Sequence, residues 1–595
     1  MRRRYQAAVA FISELGPKPG LALRQALGRG YGRRDLAADL VAGVVVGIVA
    51  LPLAMALAIA VGVPPQHGIY TAIVAGALIA LLGGSQVQVS GPTAAFVVVL
   101  APIVAKYGLA GLLVAGMMAG VILLIMGLAR LGRLIEFIPH PVTTGFTAGI
   151  ATVIAVLQVK DLLGLTPAGN PEHFIERLST LVEALPTARV ADVIVGAVTL
   201  AMLLVWPRIN KKIPAPLVGL LAGTLVSLLL AQLGWHVATI GTRFSFDDGG
   251  TIRAGIPALP PHPLLPWTLP GPGGQPLVLS LEVLRELAPS AFAIAILGAI
   301  ESLLCAVIAD GMAGTKHDPD VELMAQGVGN LVAPFFGGIA ATGAIARTAT
   351  NIRAGGRSPV AAIVHAGFVL AGVAILAPAL AYLPMAALAA LLVIVAWNMS
   401  EAHHFVHIVR VAPKSDTLVL LACYFLTVIF DMVVAVSAGI MLAALLFMRR
   451  MADISHAKLI SDEHPSLDEP LPRGVLLYEI AGPLFFGATQ KAMSALENIK
   501  APGRVMILHM GAVPAMDVTG LVALESSIAQ LIATRHFVIL SGVQPQPATV
   551  LAKAGLAPRE GKLAICSTLE EAVALAKGKR RTTADFMVSG PNPPS

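Results

Sequence analysis

Apolar runs fill the chain from Asp39 to about Met448, and most approach the roughly 20 residues that a helix needs to cross a hydrocarbon layer about 30 Å thick. Read between breakers, they predict spans near 38–61, 67–82, 92–105, 108–128, 143–160, 190–206 and 215–233. A second set falls near 287–309, 321–334, 343–353, 359–377, 379–397, 415–430 and 432–448, about fourteen in all. The stretch from Trp235 to Ser280 (ALPPHPLLPWTLPGPGGQP) cannot hold a helix and divides the 38–450 membrane part into repeats of similar size, 38–233 and 287–448. After Arg450 the period changes. Strand (VLLYEI), helix (ATQKAMSALENI), strand (RVMILHM), a turn at Asp517-Val518-Thr519-Gly520, helix (LVALESSIAQLIA), strand (HFVILSG) and helix (PATVLAKAG) predict an α/β domain over 471–578. Residues 579–595 are expected to form a disordered tail. The fold class is thus an α-helical polytopic membrane protein with a C-terminal α/β domain.

Composition narrows the class. Of 595 residues, 56% are hydrophobic and only 13% charged, against about a quarter charged in soluble domains. The net charge of +7 does not imply nucleic acid, because its basic residues form no stripe with interleaved aromatics. They gather in the 1–37 arm (Arg2, Arg3, Arg4, Lys18, Arg24, Arg29, Arg33, Arg34) and at run ends (Arg208, Lys211, Lys212, Arg449, Arg450). Lys and Arg resist translocation, so both termini are expected in the cytoplasm and the 235–280 stretch outside. No cleaved signal peptide is expected. Cys305, Cys423 and Cys566 are too scattered for a disulfide framework or a zinc knuckle.

Two spans are too short or too polar to cross alone. One begins at Ser90-Gly91-Pro92-Thr93 and the other at Thr342-Gly343-Ala344, at matching places about 250 residues apart. Interrupted helices so placed build a midplane site, where open N-termini offer N–H groups and a positive dipole end to an anion. The plainer reading is packing glycines, as in the pairs Gly43/Gly47, Gly116/Gly120 and Gly145/Gly149.

Glu301, inside LGAIESLLCAVIA, is a costly intramembrane carboxylate, suited either to reversible protonation or to a structural ion pair. Arg347, in the first turns of the second broken helix, could offer forked donors to an oxyanion or pair internally, with Glu301 itself as one partner. Arg353 and Arg357 read as interfacial anchors. His403 and His407 stand at i, i+4 beside His404, but the stretch reads as a loop and a metal site would need further ligands. The segment ADGMAGTKHDPD reads as a solvated connection. No metal, cofactor or enzymatic nucleophile is expected.

The stretches LPLAMALAIAVGVPPQHGIYTAIVAG, SQVQVSGPTAAF, IPHPVTTGFTAGI, IESLLCAVIADGMAGTKHD and GGIAATGAIARTATNIRAGGRSP resemble the SulP anion permease family. GPLFFGAT and MDVTGL resemble the STAS domains that end such permeases. The resemblance implies two inverted repeats of seven helices, core and gate domains, a homodimer, alternating access and a bacterial inner-membrane location. ESLLCAVIADGMAGTKH, AWNMSEAHHFVHIVR and FDMVVAVSAGIMLAALLFMRRMA look most like the family's bacterial C4-dicarboxylate transporters, implying proton-coupled uptake of succinate or fumarate. Relatives carrying sulfate or bicarbonate keep that alternative open. A membrane sensor signalling through the STAS domain is a more distant alternative.

Carried over, the family's substrate site falls on Gly91, Pro92 and Thr93, on Gly343, Ala344, Ile345, Ala346 and Arg347, and on Leu53 and Leu57 after Pro52. Glu301 takes the coupling position. Sodium-coupled bicarbonate members tend to have Asp there and hydroxyls near Cys305 and Ile345, so their absence favours the proton. In the STAS turn, Thr519 matches or neighbours a phosphorylated Ser of related domains, or is simply a helix N-cap. The STAS domain implies regulation, dimerisation or a cytosolic protein partner.

Overall fold

The computed structural model describes residues 18–588 except 136–137, 170, 172–173, 211–212, 249–250, 272–273, 431, 455, 461–466, 468, 473 and 486–504. The helix expected at ATQKAMSALENI and most of the N-terminal arm lie outside the described residues. The chain divides into two compact units, Met1–Ile440 and Met441–Ser595.

The first unit is helical. Besides short helices at Leu21–Gly28, Gly132–Ile135 and Phe174–Glu183, its first helices are α1 (Arg33–Val61), α2 (Gln66–Leu82), α3 (Ala94–Leu128), α4 (His140–Leu163), α5 (Val190–Ile209), α6 (Ala215–Gln232) and α7 (Leu281–Ala313). Then come α8 (Pro319–Val332), α9 (Ile345–Arg353), α10 (Val360–Leu380), α11 (Met385–Ser400), α12 (Ala402–Val411) and α13 (Lys414–Ile429), and α14 (Met432–Ile454) runs across the division between the units. Among the described residues, eight helices are long and apolar enough to cross a membrane. The spans expected at 92–105 and 108–128 are the two arms of α3, which breaks at Gly108 (φ 67°, ψ −170°). Only glycine tolerates that conformation cheaply, and a Cβ there would lie 2.8 Å from the backbone of Gly271.

Helices α1–α3 pack with α7–α10, and α4–α6 pack with α11 and α13, so the unit has two helical groups. Small residues set the close approaches. A Cβ on Gly43 would sit 2.6 Å from the Ala361 carbonyl of α10, one on Gly149 2.7 Å from Thr427 of α13, and one on Gly120 2.6 Å from Leu331 N of α8. These glycines do serve packing, as the plainer reading required. Gly91 and Gly343 meet different neighbours, described below.

Three connections differ from expectation. The 235–280 stretch contains a short helix (Ile240–Arg243) and a hairpin (Ser245–Asp248 with Thr251–Ala254). It is tied down by hydrogen bonds from Leu264 N to Phe335 O (2.7 Å) and Ala110 N to Pro270 O (3.2 Å). The stretch read as a loop around His403 is the helix α12, because AHHFVHIVRV carries an amphipathic period that a count of apolar residues misses. The connection ADGMAGTKHDPD is ordered: Asp310 accepts from Thr315 Oγ1 (2.7 Å) and His317 N (2.8 Å), and Asp318 caps α8.

The second unit holds a five-stranded sheet in sequence order: β3 (His456–Ile460), β4 (Val475–Ala481), β5 (Val505–Ala512), β6 (Phe537–Ser541) and β7 (Leu563–Cys566). The β3/β4 pair is antiparallel and the rest are parallel. Helices α15 (Val518–Ala533), α16 (Pro545–Lys553) and α17 (Leu569–Val588) accompany it among the described residues. The last runs into the segment expected to be disordered: an acidic first turn and a run of Ala, Lys and Leu propagate the helix, and no proline occurs before Pro591.

Gly43→Val should overpack the α1/α10 contact and cost about 1–3 kcal/mol. The measurement is the thermal unfolding midpoint of detergent-purified protein, expected to fall.

Candidate functional site

Proline at 92 and the glycines at 91 and 343 keep the chain extended before α3 and α9. The strands β1 (Ser90–Gly91) and β2 (Thr342–Gly343) therefore cross inside the helical unit, pairing antiparallel with Ser90 opposite Gly343 and Gly91 opposite Thr342. From this crossing α3 and α9 start. Their N-cap residues, Thr93 and Ala344, make no side-chain capping bond, so neither helix closes its first N–H groups that way.

Helix α9 grips the chain leading into α3. Ala344 N donates to Val89 O (2.9 Å), Val89 N to Thr348 Oγ1 (3.0 Å) and Asn351 Nδ2 to Val87 O (2.8 Å). Arg347 Nη2 donates to the carbonyl of Pro92. Its guanidinium lies over Gly91, where a Cβ would be 2.5 Å from Nη1. Likewise the Gln88 amide lies over Gly343. Each repeat's glycine makes room for a polar side chain, Arg347 from the other repeat and Gln88 from the chain leading into its partner strand.

Thr93, having no capping bond, gives its hydroxyl to Glu301 Oε2 at 2.8 Å. The Glu301 carboxylate thus touches the start of the first broken helix. Arg347 is only 2% exposed, and its Nε and Nη1 atoms have no hydrogen-bond partner. Among the described residues no ion pair joins it to Glu301, so the internal pairing considered for it takes another form, the Pro92 carbonyl.

Gly91, Pro92, Thr93, Gly343, Ala344 and Arg347 meet at the crossing and are buried, while Ile345 and Ala346 are exposed. Leu53 and Leu57, behind Pro52 in α1, lie in the apolar core cluster that also contains Ala94, Phe96 and Ile300. His403, His404 and His407 do not converge: the His404 ring meets His140 instead, 5.1 Å between centroids, and no group of three or more metal-type ligands occurs among the described residues. In the second unit Asp517, not Thr519, caps α15, accepting from Gly520 N at 2.7 Å. Thr519 is exposed in the first turn.

The sequence reading passed over the polar residues that hold the crossing: Gln88, Ser302, Glu322, Gln326, Asn330, Thr348 and Asn351, all buried. A signal existed, since Glu322, Gln326 and Asn330 recur every four residues in an apolar segment.

Residues 36–423 match the sulfate permease family and residues 468–572 the STAS domain. The putative sulfate transporter YvdB of Bacillus subtilis is 39% identical, over 84% of this chain and 90% of its own. The bicarbonate transporter BicA of Picosynechococcus is 30% identical, over 84% and 87%. The structure of murine Solute Carrier 26 family member A9 superposes with TM-score 0.81 at 18% identity, covering 96% and 95% of the two chains, a likeness of fold. The transmembrane domain of a cyanobacterial BicA matches 69% of this chain and 98% of its own, with TM-score 0.56 and 28% identity.

Cys305 is fully buried, with Sγ donating to Thr348 Oγ1 at 3.3 Å, whereas Cys566 is partly exposed. A Cβ on Gly343 would crowd the Gln88 amide and lie 3.1 Å from Cys305 Cβ. N-ethylmaleimide followed by mass spectrometry should label Cys566 well before Cys305 in the parent protein, and Gly343→Ala should raise labelling of Cys305.

Proposed function

The chain belongs to the sulfate permease family, and from that premise we propose a secondary active transporter that moves an oxyanion by alternating access, coupled to protons. The observation that carries this reading is the crossing itself: two half-helices with N-termini uncapped by side chains, beside Arg347 and Glu301. An anion between them meets N–H groups that no N-cap side chain takes, two positive dipole ends and the Nε and Nη1 atoms of Arg347. Gly91, Pro92, Thr93, Gly343, Ala344, Ile345 and Ala346 form its floor, and Leu53 and Leu57 its apolar wall. Glu301, joined to this floor through Thr93, carries the proton. A proton on Glu301 removes its repulsion toward a dianion, and that difference couples the two ligands thermodynamically.

For the substrate, sulfate or bicarbonate is the first reading, supported by relatives so named that align over most of the chain. Succinate and fumarate are the second, supported by the segments around Glu301 and α12 that look like C4-dicarboxylate transporters. Protons are favoured over sodium because Cys305 and Ile345 supply no side-chain oxygen beside Glu301, and sodium prefers several. The excess of Lys and Arg at both ends supports cytoplasmic termini in a bacterial inner membrane. We assign to the STAS unit a regulatory or dimerising role, or the docking of a cytosolic protein. A phosphate on exposed Thr519 would sit favourably at the N-terminus of α15.

The test is uptake of labelled sulfate, bicarbonate and succinate into proteoliposomes under an inward proton gradient, with and without sodium. Acid-stimulated, sodium-independent uptake is expected, and competition among the anions identifies the substrate. Glu301→Gln should leave uptake slower and flat with pH. A parental pH profile in that variant would remove Glu301 from the coupling step.

A further inference from the structure

Helix α8 does not carry any residue assigned to the anion, yet it presents a ladder to both half-helix starts. Glu322, Gln326 and Asn330 follow one another at four-residue spacing, so they share one face. All are buried, Gln326 fully and the other two to 1% exposure.

Glu322 accepts five hydrogen bonds. Its Oε2 takes Gly84 N (3.0 Å) and Ser85 N (3.3 Å), and its Oε1 takes Gln88 Nε2 (3.0 Å), Gln326 Nε2 (3.1 Å) and Ser302 Oγ (3.3 Å). All five partners donate, the pattern of an acceptor-only carboxylate. This forces both glutamine amides to turn their NH2 groups inward. The Oε1 atoms of Gln88 and Gln326 are left buried with no hydrogen-bond partner, an arrangement buried amides otherwise avoid. The orientation is put to use at the crossing. The same Gln326 Nε2 donates to Ser90 Oγ of β1 (3.1 Å), and the same Gln88 Nε2 donates to Ser302 Oγ (2.9 Å) while its amide covers Gly343 of β2. One turn further along, Asn330 closes a reciprocal pair with Ala341, the residue before β2: Nδ2 donates to Ala341 O and Oδ1 accepts from Ala341 N, both at 2.8 Å. Ser302 is the chain neighbour of Glu301 on α7.

We propose that Glu322 is a positioning residue for anion transport: through Gln326 bonded to β1, Gln88 over Gly343 and Ser302 it sets the register of both half-helix N-termini and of the α7 turn that carries Glu301. It contacts neither anion nor coupling proton. The proposal rests on the reading of the crossing as the anion site.

The two carboxylates divide the work by environment. Glu301 receives a single side-chain hydrogen bond, from Thr93, and is partly exposed. Glu322 is enclosed and saturated by donors that belong to three stretches of chain, the 84–88 segment, α7 and its own helix, and Gln326 extends the network to β1. A group so placed transmits geometry, and a change in it moves both N-termini together.

The experiment uses full-length protein, with uptake of sulfate, bicarbonate and succinate into proteoliposomes and thermal stabilisation of purified protein by the same anions. Glu322→Gln keeps the volume but frees the Gln88 and Gln326 amides to turn over. The expected result is a KM raised about 10- to 100-fold, the effect of losing one charge-assisted hydrogen bond, with the parental pH profile kept and kcat changed far less. Glu322→Asp, which keeps the charge one methylene short, should fall between. Reduced folded yield with an unchanged KM in the folded fraction would make Glu322 a merely structural residue and overturn the proposal. If Glu322→Gln does not fold, Gln326→Leu decides: it keeps Glu322 and its four other donors and removes the arm that runs from Glu322 to Ser90, so a raised KM supports the proposal and an unchanged one overturns it. Parent protein that shows no flux but is stabilised by an anion defeats the transport reading alone, and the ladder is then judged by whether the variants lose that stabilisation.

Discussion

A backbone that leaves the helix inside a low-dielectric layer must find partners for its N–H and C=O groups within the protein. Both repeats leave the helix at once here, and they satisfy one another. Ser90–Gly91 pairs with Thr342–Gly343, Ala344 bonds Val89, and Asn330 takes both backbone groups of Ala341. Most of the buried polar side chains near the site serve this one requirement. Thr342 Oγ1 reaches the Gly298 carbonyl, Thr348 accepts from Val89, and Asn351 donates to Val87.

Having met that requirement, the crossing gains its chemistry from what it leaves unmet. The first N–H groups of α3 and α9 are not capped by their own N-cap side chains, and Arg347 spends one nitrogen on Pro92 while two find no partner. Groups that are costly in an apolar interior would become favourable contacts for the anion proposed to bind here. Glycine is needed at 91 and 343 because Arg347 and Gln88 occupy the space a side chain would take. The same residue type at 43, 120 and 149 instead brings helices together, so one sequence signal covers two physical jobs.

The rest of the helical unit supports the crossing at a distance. The buried Asp39 accepts from Tyr31 (2.9 Å), from the backbone of Arg357 (2.6 Å) and from Ser358, fastening the start of α1 to the turn before α10. Across the unit, the 235–280 stretch is pinned to the break in α3 and to the Ala333–Phe336 turn. Both half-helices are thus anchored at their far ends as well as at the crossing.

Much of this was already fixed by the order of residues. The placement of the apolar helices, the change to an α/β period after Arg450 and the positions of both interrupted helices are local properties, because hydrocarbon thickness and proline geometry act on consecutive residues. The candidate positions 91–93 and 343–347 could be singled out for the same reason, and Glu301 because a lone carboxylate stands out in an apolar run. The helix through Ala402–Val411 was missed where amphipathic period outweighs mean hydropathy, and α17 where tail composition masked helix propensity. Only the tertiary structure could say that Thr93 serves Glu301 and not its own helix, that Arg347 bonds Pro92 across the repeats, and that Glu322 collects five donors. Those partners lie about 200 or more residues apart in several cases. Hydrogen-bond choice depends on which donors and acceptors burial brings together, and local sequence carries no record of that.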